Sequence, residues 1–474
     1  RFHVQILIHV EMSVVVCGAG IAGLSAACAL KQIGMSVRVV EKLSNETLRN
    51  PQKYTGLWSA SLRCLDKLGL YRDLESDFHP VIQSGYRSSA GNFLARPSDL
   101  KPALESPSLA FIRDDVLLDR LRSELSSDEL QYEVAVSKVF RRGQKAVIES
   151  EDGDEYEADF LVAADGNDSS IRHLMHGNPT DDQARTQYCG YKVYRGHTLR
   201  GALSLSDCGY TESKPIAYQT WGPGKRFAVV PTRKGFAWFA AITCSQHLGP
   251  LSREQLAQQF AGWHSPLQAL VLHSEGEAAG VLVEDARATA ANMPGWEAIL
   301  MTEGGQPEYV NSNPCSQLSD SMAIDNDLNR DNICEETSQS DSGSQDAKQR
   351  SLADIMQAAY TSNNVAPLVI YVGDAAGTLD PTLAQGAGLA IESGFNLAKT
   401  IEEARHMHSK MLLSSSSPVS LPKGGDGDTV MNIDNMKLHL LDFETARQRR
   451  FRMLQSIAAQ SITIGHVESE VVKA

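Results

Sequence analysis

Residues 18–42 read GAGIAGLSAACALKQIGMSVRVVEK, and they decide the fold. Just before them, Ser13–Cys17 is a short apolar run, the mark of a strand buried on both faces. Leu24, Ala27 and Leu30 recur on one helical face, and Gly34 supplies the left-handed stop. Val37, Val39 and Val40 mark a second strand. Strand, helix and strand in this order predict a parallel sheet. At the first junction Gly18, Gly20 and Gly23 fit G-x-G-x-x-G, with Ala22 as a further small residue in the turn. Gly18 permits a tight turn, Gly20 lets the backbone approach a pyrophosphate, and Gly23 lets the helix pack on the strand. Free amides at the helix start, with the helix dipole, favour phosphate oxygens. Glu41 ends the second strand, where a carboxylate can accept hydrogen bonds from a ribose diol. The competing reading is that the glycines only pack a helix. The motif alone does not separate nicotinamide from flavin dinucleotides.

Outward from this motif, the chain has the make-up of a globular protein. It has 474 residues, 42% of them hydrophobic and 22% charged, and a net charge of −14. That balance speaks against general binding to nucleic acid or to anionic membranes. Residues 301–350 hold ten acids and three bases, so half of the net charge sits in one segment. No apolar run reaches a membrane-spanning length. The eight cysteines form no C-x-x-C and no zinc spacing, so buried free thiols in a reducing compartment are expected, and no metal site. A cytoplasmic location is the default expectation. Met12, directly before the first strand, reads as a possible initiator, with residues 1–11 as an extension.

Trp58, Leu62, Leu65 and Leu68 predict one helix. Leu117, Leu118, Leu121 and Leu125 predict another, capped by Asp114. Residues 146–150 and 157–163 flank Asp152-Gly153 and read as a hairpin. Residues 186–245 turn aromatic and β-branched, broken by Gly222-Pro223-Gly224, which predicts a mainly antiparallel sheet. Residues 294–364 are polar and acidic, with a short helical pattern only at 352–360, and read as a disordered insertion or as sequence wrongly retained. Residues 367–372 and 389–404 resume the strand and helix patterns, so the first domain is discontinuous.

Five segments together resemble the single-component FAD-dependent monooxygenases, the aromatic hydroxylases with salicylate-hydroxylase and zeaxanthin-epoxidase relatives. They are residues 18–42, GLWSASLRCLDKLGL at 56–70, FIRDDVLLDRL at 111–121, ADFLVAADGNDSSIR at 158–172 and YVGDAAGTLDPTLAQGAGLAIES at 371–393. The resemblance implies an α/β fold: a Rossmann-like FAD-binding domain of the glutathione-reductase type and a second, mainly antiparallel substrate domain. The FAD-binding parts then fall at 12–80, 106–183 and 365–405, with substrate-domain parts at 81–105 and 184–290. The insertion at 294–364, a flexible linker at 409–436 and a C-terminal helix at 437–465 complete the chain.

The resemblance also implies roles. Arg113 falls on a cofactor-contacting arginine, and Asp165 and Gly166 on a motif that touches cofactor and supports nicotinamide binding. Gly373, Asp374, Pro381, Gly386, Ala387 and Gly388 fall on the motif around the flavin. A carboxylate at Asp374 could accept from ribityl hydroxyls, and amides at 384–388 could face a negatively charged reduced flavin. The bland readings are that Asp374 caps a turn, that Asp165-Gly166 is a plain turn, and that Arg113 pairs with Asp114 or Asp115. FAD is the implied cofactor, NAD(P)H a transient co-substrate, and O2 and a small aromatic or unsaturated molecule the partners. Only one G-x-G-x-x-G is present, which argues against two-dinucleotide reductases. No side chain is assigned as catalytic acid or base, and no oligomeric state is implied. Two departures stand out: Gly377 replaces the family's usual histidine, and Asp380 stands where small or apolar residues are common. They leave open an FAD oxidoreductase that inserts no oxygen. A flavin-fold binding protein without chemistry is the remaining alternative.

Overall fold

The computed structural model describes residues 12–49, 53–99, 107–143, 145–176, 186–202, 216–275, 282–289, 368–414 and 433–466. The acidic stretch 294–364, its helical pattern at 352–360 and the serine-rich core of the linker lie outside them.

The predicted first strand sits in the middle of a five-stranded sheet. Its order is Leu368–Tyr371, Phe160–Ala163, Ser13–Cys17, Ser36–Val40, Leu130–Gln131, and every neighbouring pair is parallel. Val14, Val15 and Val16 are buried on both faces, as a continuous apolar run requires. The helix Ile21–Gln32 covers one face, and the helix Gly386–Ser414 packs on it through Gly394. A Cβ at Gly394 would stand 2.6 Å from the Ala26 nitrogen. The strand from residue 368 thus pairs with one some 200 residues earlier, and the sheet closes only when both are present. Burying a core side chain such as Leu24 or Val16 contributes about 1.5–3 kcal/mol.

Three expectations need correction. The run 157–163 is not one hairpin arm. Glu155–Ala158 pairs with Lys145–Ser150, while Phe160–Ala163 leaves for the parallel sheet. Asp159 makes the break: its carboxylate accepts from the Ser13 amide at 2.7 Å and pairs with Lys145. Asp114 does not cap its helix. The helix starts at Asp114 itself, Arg113 holds the cap position, and Asp114 turns toward Lys53. The helix Gly386–Ser414 and the last helix, Ile433–His466, both extend into the span expected as linker.

The second sheet has seven strands in the order Leu282–Ala288, Gln187–Leu199, Gly235–Thr243, Lys225–Pro231, Ile216–Gly222, Gln83–Ser88, Phe93–Asp99. It is antiparallel except where Ile216–Gly222 meets Gln83–Ser88. One face carries an aromatic core of Phe227, Trp238 and Phe260, with Phe227 edge-on to Phe260 at 5.0 Å. The opposite face turns Ala217, Val230 and Ala237 toward Tyr54 and Phe111, which belong to a small sheet of Tyr54–Trp58, Leu109–Arg113 and His79–Pro80. Cys17, Cys28 and Cys64 are buried free thiols, as expected, whereas Cys189 and Cys244 are half-buried. No helix among the described residues is long and apolar enough to cross a membrane.

Candidate cofactor and substrate site

Gly18 takes φ +113, and a Cβ there would lie 2.4 Å from the Ala164 carbonyl oxygen. A Cβ at Gly23 would lie 1.8 Å from the Gly18 carbonyl oxygen. These two glycines are fixed by packing. Gly20 differs: a Cβ there would meet nothing within 4 Å, and its backbone faces a cavity. Glu41 braces the same turn. Its Oε2 accepts from the Ala19 amide at 2.7 Å and its Oε1 from the Leu43 amide at 2.9 Å. The carboxylate is buried and does not line the main cavity.

The cavity measures about 800 Å³. It runs from Gly20 and Ala22 past Gly166 and Asp374 to Pro381, Gly386 and Ala387. Two helices therefore open toward it, and first-turn amides have no intrahelical acceptor. Gly373, at φ +59, sits against Ala22: a Cβ there would approach the Ala22 Cβ to 2.5 Å. That contact brings Asp374 to the glycine turn. The Asp374 carboxylate opens into the cavity, and among the described residues no hydrogen bond engages it. Asp374 is exposed to this open cavity, and desolvation by the protein around it pushes its pKa up to about 6; Lys53 and Arg172 oppose the rise and Glu284 adds to it. Asp374 is thus a free acceptor rather than a turn cap.

Other candidates turn elsewhere. Asp165 Oδ1 accepts from the Ser169 hydroxyl at 2.6 Å and Oδ2 from the Ile171 amide at 3.0 Å, so it holds the start of the helix Ser170–His176. Gly166, at φ +85, is the member of that pair facing the cavity. Arg172 ties the two loops together, donating to the carbonyls of Ala375 at 3.0 Å and Asn167 at 2.5 Å. Arg113 makes a two-pronged pair with Asp115 at 3.0 and 2.5 Å and does not line the cavity. Gly388 packs on Ser61, whose Oγ would be 3.2 Å from a Cβ. Gly377, the first departure, also faces away: a Cβ would meet the Phe451 ring at 3.1 Å, so the C-terminal helix fills the place of a longer side chain.

Sequence reading missed a charged cluster in the cavity wall. Lys53 Nζ lies 3.1 Å from Glu284 and 3.7 Å from Asp114, and Arg195 Nε lies 3.1 Å from Glu284. Burial works against the Lys53 charge, but Asp114 and Glu284 outweigh it and hold its pKa above the ordinary range. Burial likewise opposes the Glu284 charge, and Lys53 and Arg195 hold its carboxyl below its ordinary range. A smaller cavity of about 120 Å³ adjoins the first and shares Phe111, Val193, Arg195, Phe239, Pro381 and Ala384 with it. Ala384 holds a left-handed φ of +50, a strained choice for a residue with a side chain.

The room, the open backbone at Gly20, Gly166 and Gly386, the free Asp374 carboxylate and the paired cations suit an elongated dinucleotide. Comparison with known proteins agrees. Residues 11–234 match the FAD binding domain family. The aurachin C monooxygenase/isomerase of Stigmatella aurantiaca is 26% identical over 275 residues, 56% of this chain and 67% of that protein. The FAD-dependent urate hydroxylase of Klebsiella pneumoniae is 27% identical over 268 residues, 55% of this chain and 66% of that protein. The matched stretches thus span about two thirds of these relatives. The solved structure of Klebsiella pneumoniae HpxO with FAD and uric acid superposes with a TM-score of 0.65 at 19% identity, covering 97% of this chain and 90% of that one. The chain carries the FAD-binding fold, with an FAD binding domain match over residues 11–234, and is similar in sequence to FAD-dependent monooxygenases.

Proposed function

We propose that this protein uses NAD(P)H and O2 to hydroxylate or epoxidise a small aromatic or unsaturated molecule. The observation that carries this reading is the pair of joined cavities: one large, of mixed polar and apolar lining and reached by two helix starts, the other small and mostly apolar. Bound FAD would supply the redox and oxygen chemistry. The protein's own residues do the rest. Gly20, Ala22 and Gly166 give phosphate groups close backbone approach, and Lys53 offers a cation in the same cavity. Asp374 accepts hydrogen bonds from sugar-alcohol hydroxyls. The first turn of the helix Gly386–Ser414 places amide dipoles where negative charge develops. Val193, Phe239 and Phe111 keep water from the junction of the two cavities.

Gly377 gave the non-oxygenating oxidoreductase its support in the sequence. Its contact with Phe451 explains that residue by packing, away from both cavities. The test is to purify the protein, record its visible spectrum, and follow NAD(P)H oxidation with a panel of phenols and alkenes. Substrate-stimulated oxidation with an oxygen-18 label from O2 in the product is expected. Stimulated oxidation with no labelled product would refute oxygen insertion.

A further inference from the structure

The C-terminal helix Ile433–His466 turns inward a stripe of Phe451, Leu454, Gln455 and Ala458, spaced i, i+3, i+4 and i+7. Phe451 and Leu454 cover the 377–384 loop. The Phe451 ring lies 3.1 Å from where a Gly377 Cβ would stand, and Leu454 packs with Leu379 and Leu389. Gln455 is the polar member of the stripe. It is 8% exposed, and its amide donates to the Thr289 carbonyl. Its Oε1 has no hydrogen-bond partner among the described residues. Arg450, beside the stripe, ties the helix to Glu392 of the helix Gly386–Ser414 through bonds of 2.6 and 2.9 Å.

The segment from Gly373 to Ala384 is held in three places. Near its start, Arg172 donates to the Ala375 carbonyl at 3.0 Å. Near its end, Asp380 accepts from the Thr382 amide at 2.8 Å and from the Tyr191 hydroxyl at 2.6 Å. Its middle depends on Thr289, the residue after the strand Leu282–Ala288. The Thr289 amide donates to the Thr378 carbonyl at 2.9 Å, and the Thr378 amide donates to Thr289 Oγ1 at 2.9 Å. Thr378 and Leu379 line the large cavity, whereas Gln455 lines neither cavity. The helix therefore reaches the cavity wall in two steps, from Gln455 to Thr289 and from Thr289 to Thr378.

For stability alone a glutamine is a poor choice at this place. Burying a side-chain amide costs free energy unless both its groups are bonded, and here one is not. A methionine would fill a similar volume without that cost. What the glutamine adds is an N–H aimed at one carbonyl. We propose that Gln455 is a positioning residue: through Thr289 it fixes Thr378 and Leu379, and so sets the cavity wall against which the flavin cofactor is held. The inference rests on the large cavity being the FAD site and not on oxygen insertion.

Gln455→Met keeps the packing of the stripe and removes the donor. The melting temperature of its ligand-free form should be nearly unchanged. Titration of FAD into the deflavinated variant should show a roughly 3- to 10-fold rise in Kd, the worth of about one neutral hydrogen bond. In flavin-loaded protein, backbone hydrogen exchange at 377–380 should quicken about tenfold, while the helix Ile433–His466 keeps its protection. Thr289→Val removes the acceptor of the Thr378 amide and should raise Kd in the same way. Because both act through Thr378, the double variant should fall short of the product of the two single effects. Unchanged Kd and unchanged exchange at 377–380 in Gln455→Met would overturn the proposal. Faster exchange along the whole C-terminal helix with a lower melting temperature would overturn it too, since that pattern marks structural support only; Leu454→Ala, which opens a hole in the same contact, supplies it for comparison. The expected changes in a protein whose wild type forms no oxygenated product support the positioning role while counting against the monooxygenase reading.

Discussion

Replacing Asp374 by Asn should move cofactor affinity and ligand-free stability in opposite directions. The carboxylate opens into the cavity with no hydrogen bond among the described residues, and desolvation by the surrounding protein lifts its pKa to about 6. A hydrogen bond to a charged group is worth about 1.5–3 kcal/mol and one to a neutral group about 0.5–1.5 kcal/mol. Keeping an acceptor but losing the charge therefore costs about 1–2 kcal/mol of FAD affinity, roughly a 5- to 30-fold rise in Kd. The sign for stability runs the other way. The folded pKa lies above the unfolded one, so the folded state holds its proton longer, and the charged carboxylate disfavours folding at neutral pH. Asp374→Asn should then raise the melting temperature of ligand-free protein at pH 7.5. The gain should shrink as pH falls through about 6 and vanish below the unfolded value of about 3.9. Fluorescence titration of FAD into deflavinated protein measures the first effect, and thermal unfolding over a pH series the second. An unchanged Kd, or a lower melting temperature at pH 7.5, would refute the assignment of Asp374 as a cofactor acceptor.

Gly20→Ala should leave the melting temperature of ligand-free protein nearly unchanged and weaken FAD binding, because its Cβ enters open cavity. Gly23→Ala should unfold the glycine turn or cost about 1–3 kcal/mol or more, since its Cβ would strike a backbone carbonyl; equal unfolding curves for the two variants would contradict this. Gly377→His should destabilise the protein, and Phe451→Ala should rescue part of the loss in a double-mutant cycle; additive effects would show that Phe451 does not fill that place. Glu284→Gln should lower the melting temperature at pH 7. Lys53 and Arg195 hold the Glu284 pKa down, so its contribution is present above the unfolded value and is lost as pH falls through the folded one. The variant and wild type should therefore converge in acid, and a gap that does not narrow as pH falls would count against the ion pairs.

What could be read from the sequence was what local chemistry determines. The turn at Gly18–Gly23 announced itself because a left-handed residue, a close helix approach and an open backbone need glycine within six residues. The valine runs announced buried strands because both faces are covered. The split at Asp159 was hidden, since the run 157–163 carries one pattern and only the bond from Ser13, far away in the chain, divides it. Lys53, Glu284 and Arg195 gave no signal for a related reason. Each sits in its own stretch as an ordinary charged residue, and their meeting depends on how two sheets are set against each other. Gly377 looked like lost chemistry from its neighbours alone. Its explanation lies in Phe451, more than 70 residues later.

Small residues also set the length of the cofactor cavity, and this joins fold to function. Gly394 lets the helix Gly386–Ser414 touch the helix Ile21–Gln32 at Ala26, and Gly373 rests on Ala22 at the start of that helix. Both helix starts that face the cavity are therefore held by backbone-distance contacts, without long side chains between them. Close-packed contacts of this kind have little freedom to slide. The separation between Gly20 at one wall and Gly386 at another is thus settled before any ligand arrives, which lowers the ordering cost of binding an extended dinucleotide. Glu41 serves the same end. By accepting two amides of the turn it fixes the orientation of the backbone that a phosphate would meet, a larger contribution from this residue than a single contact to a sugar.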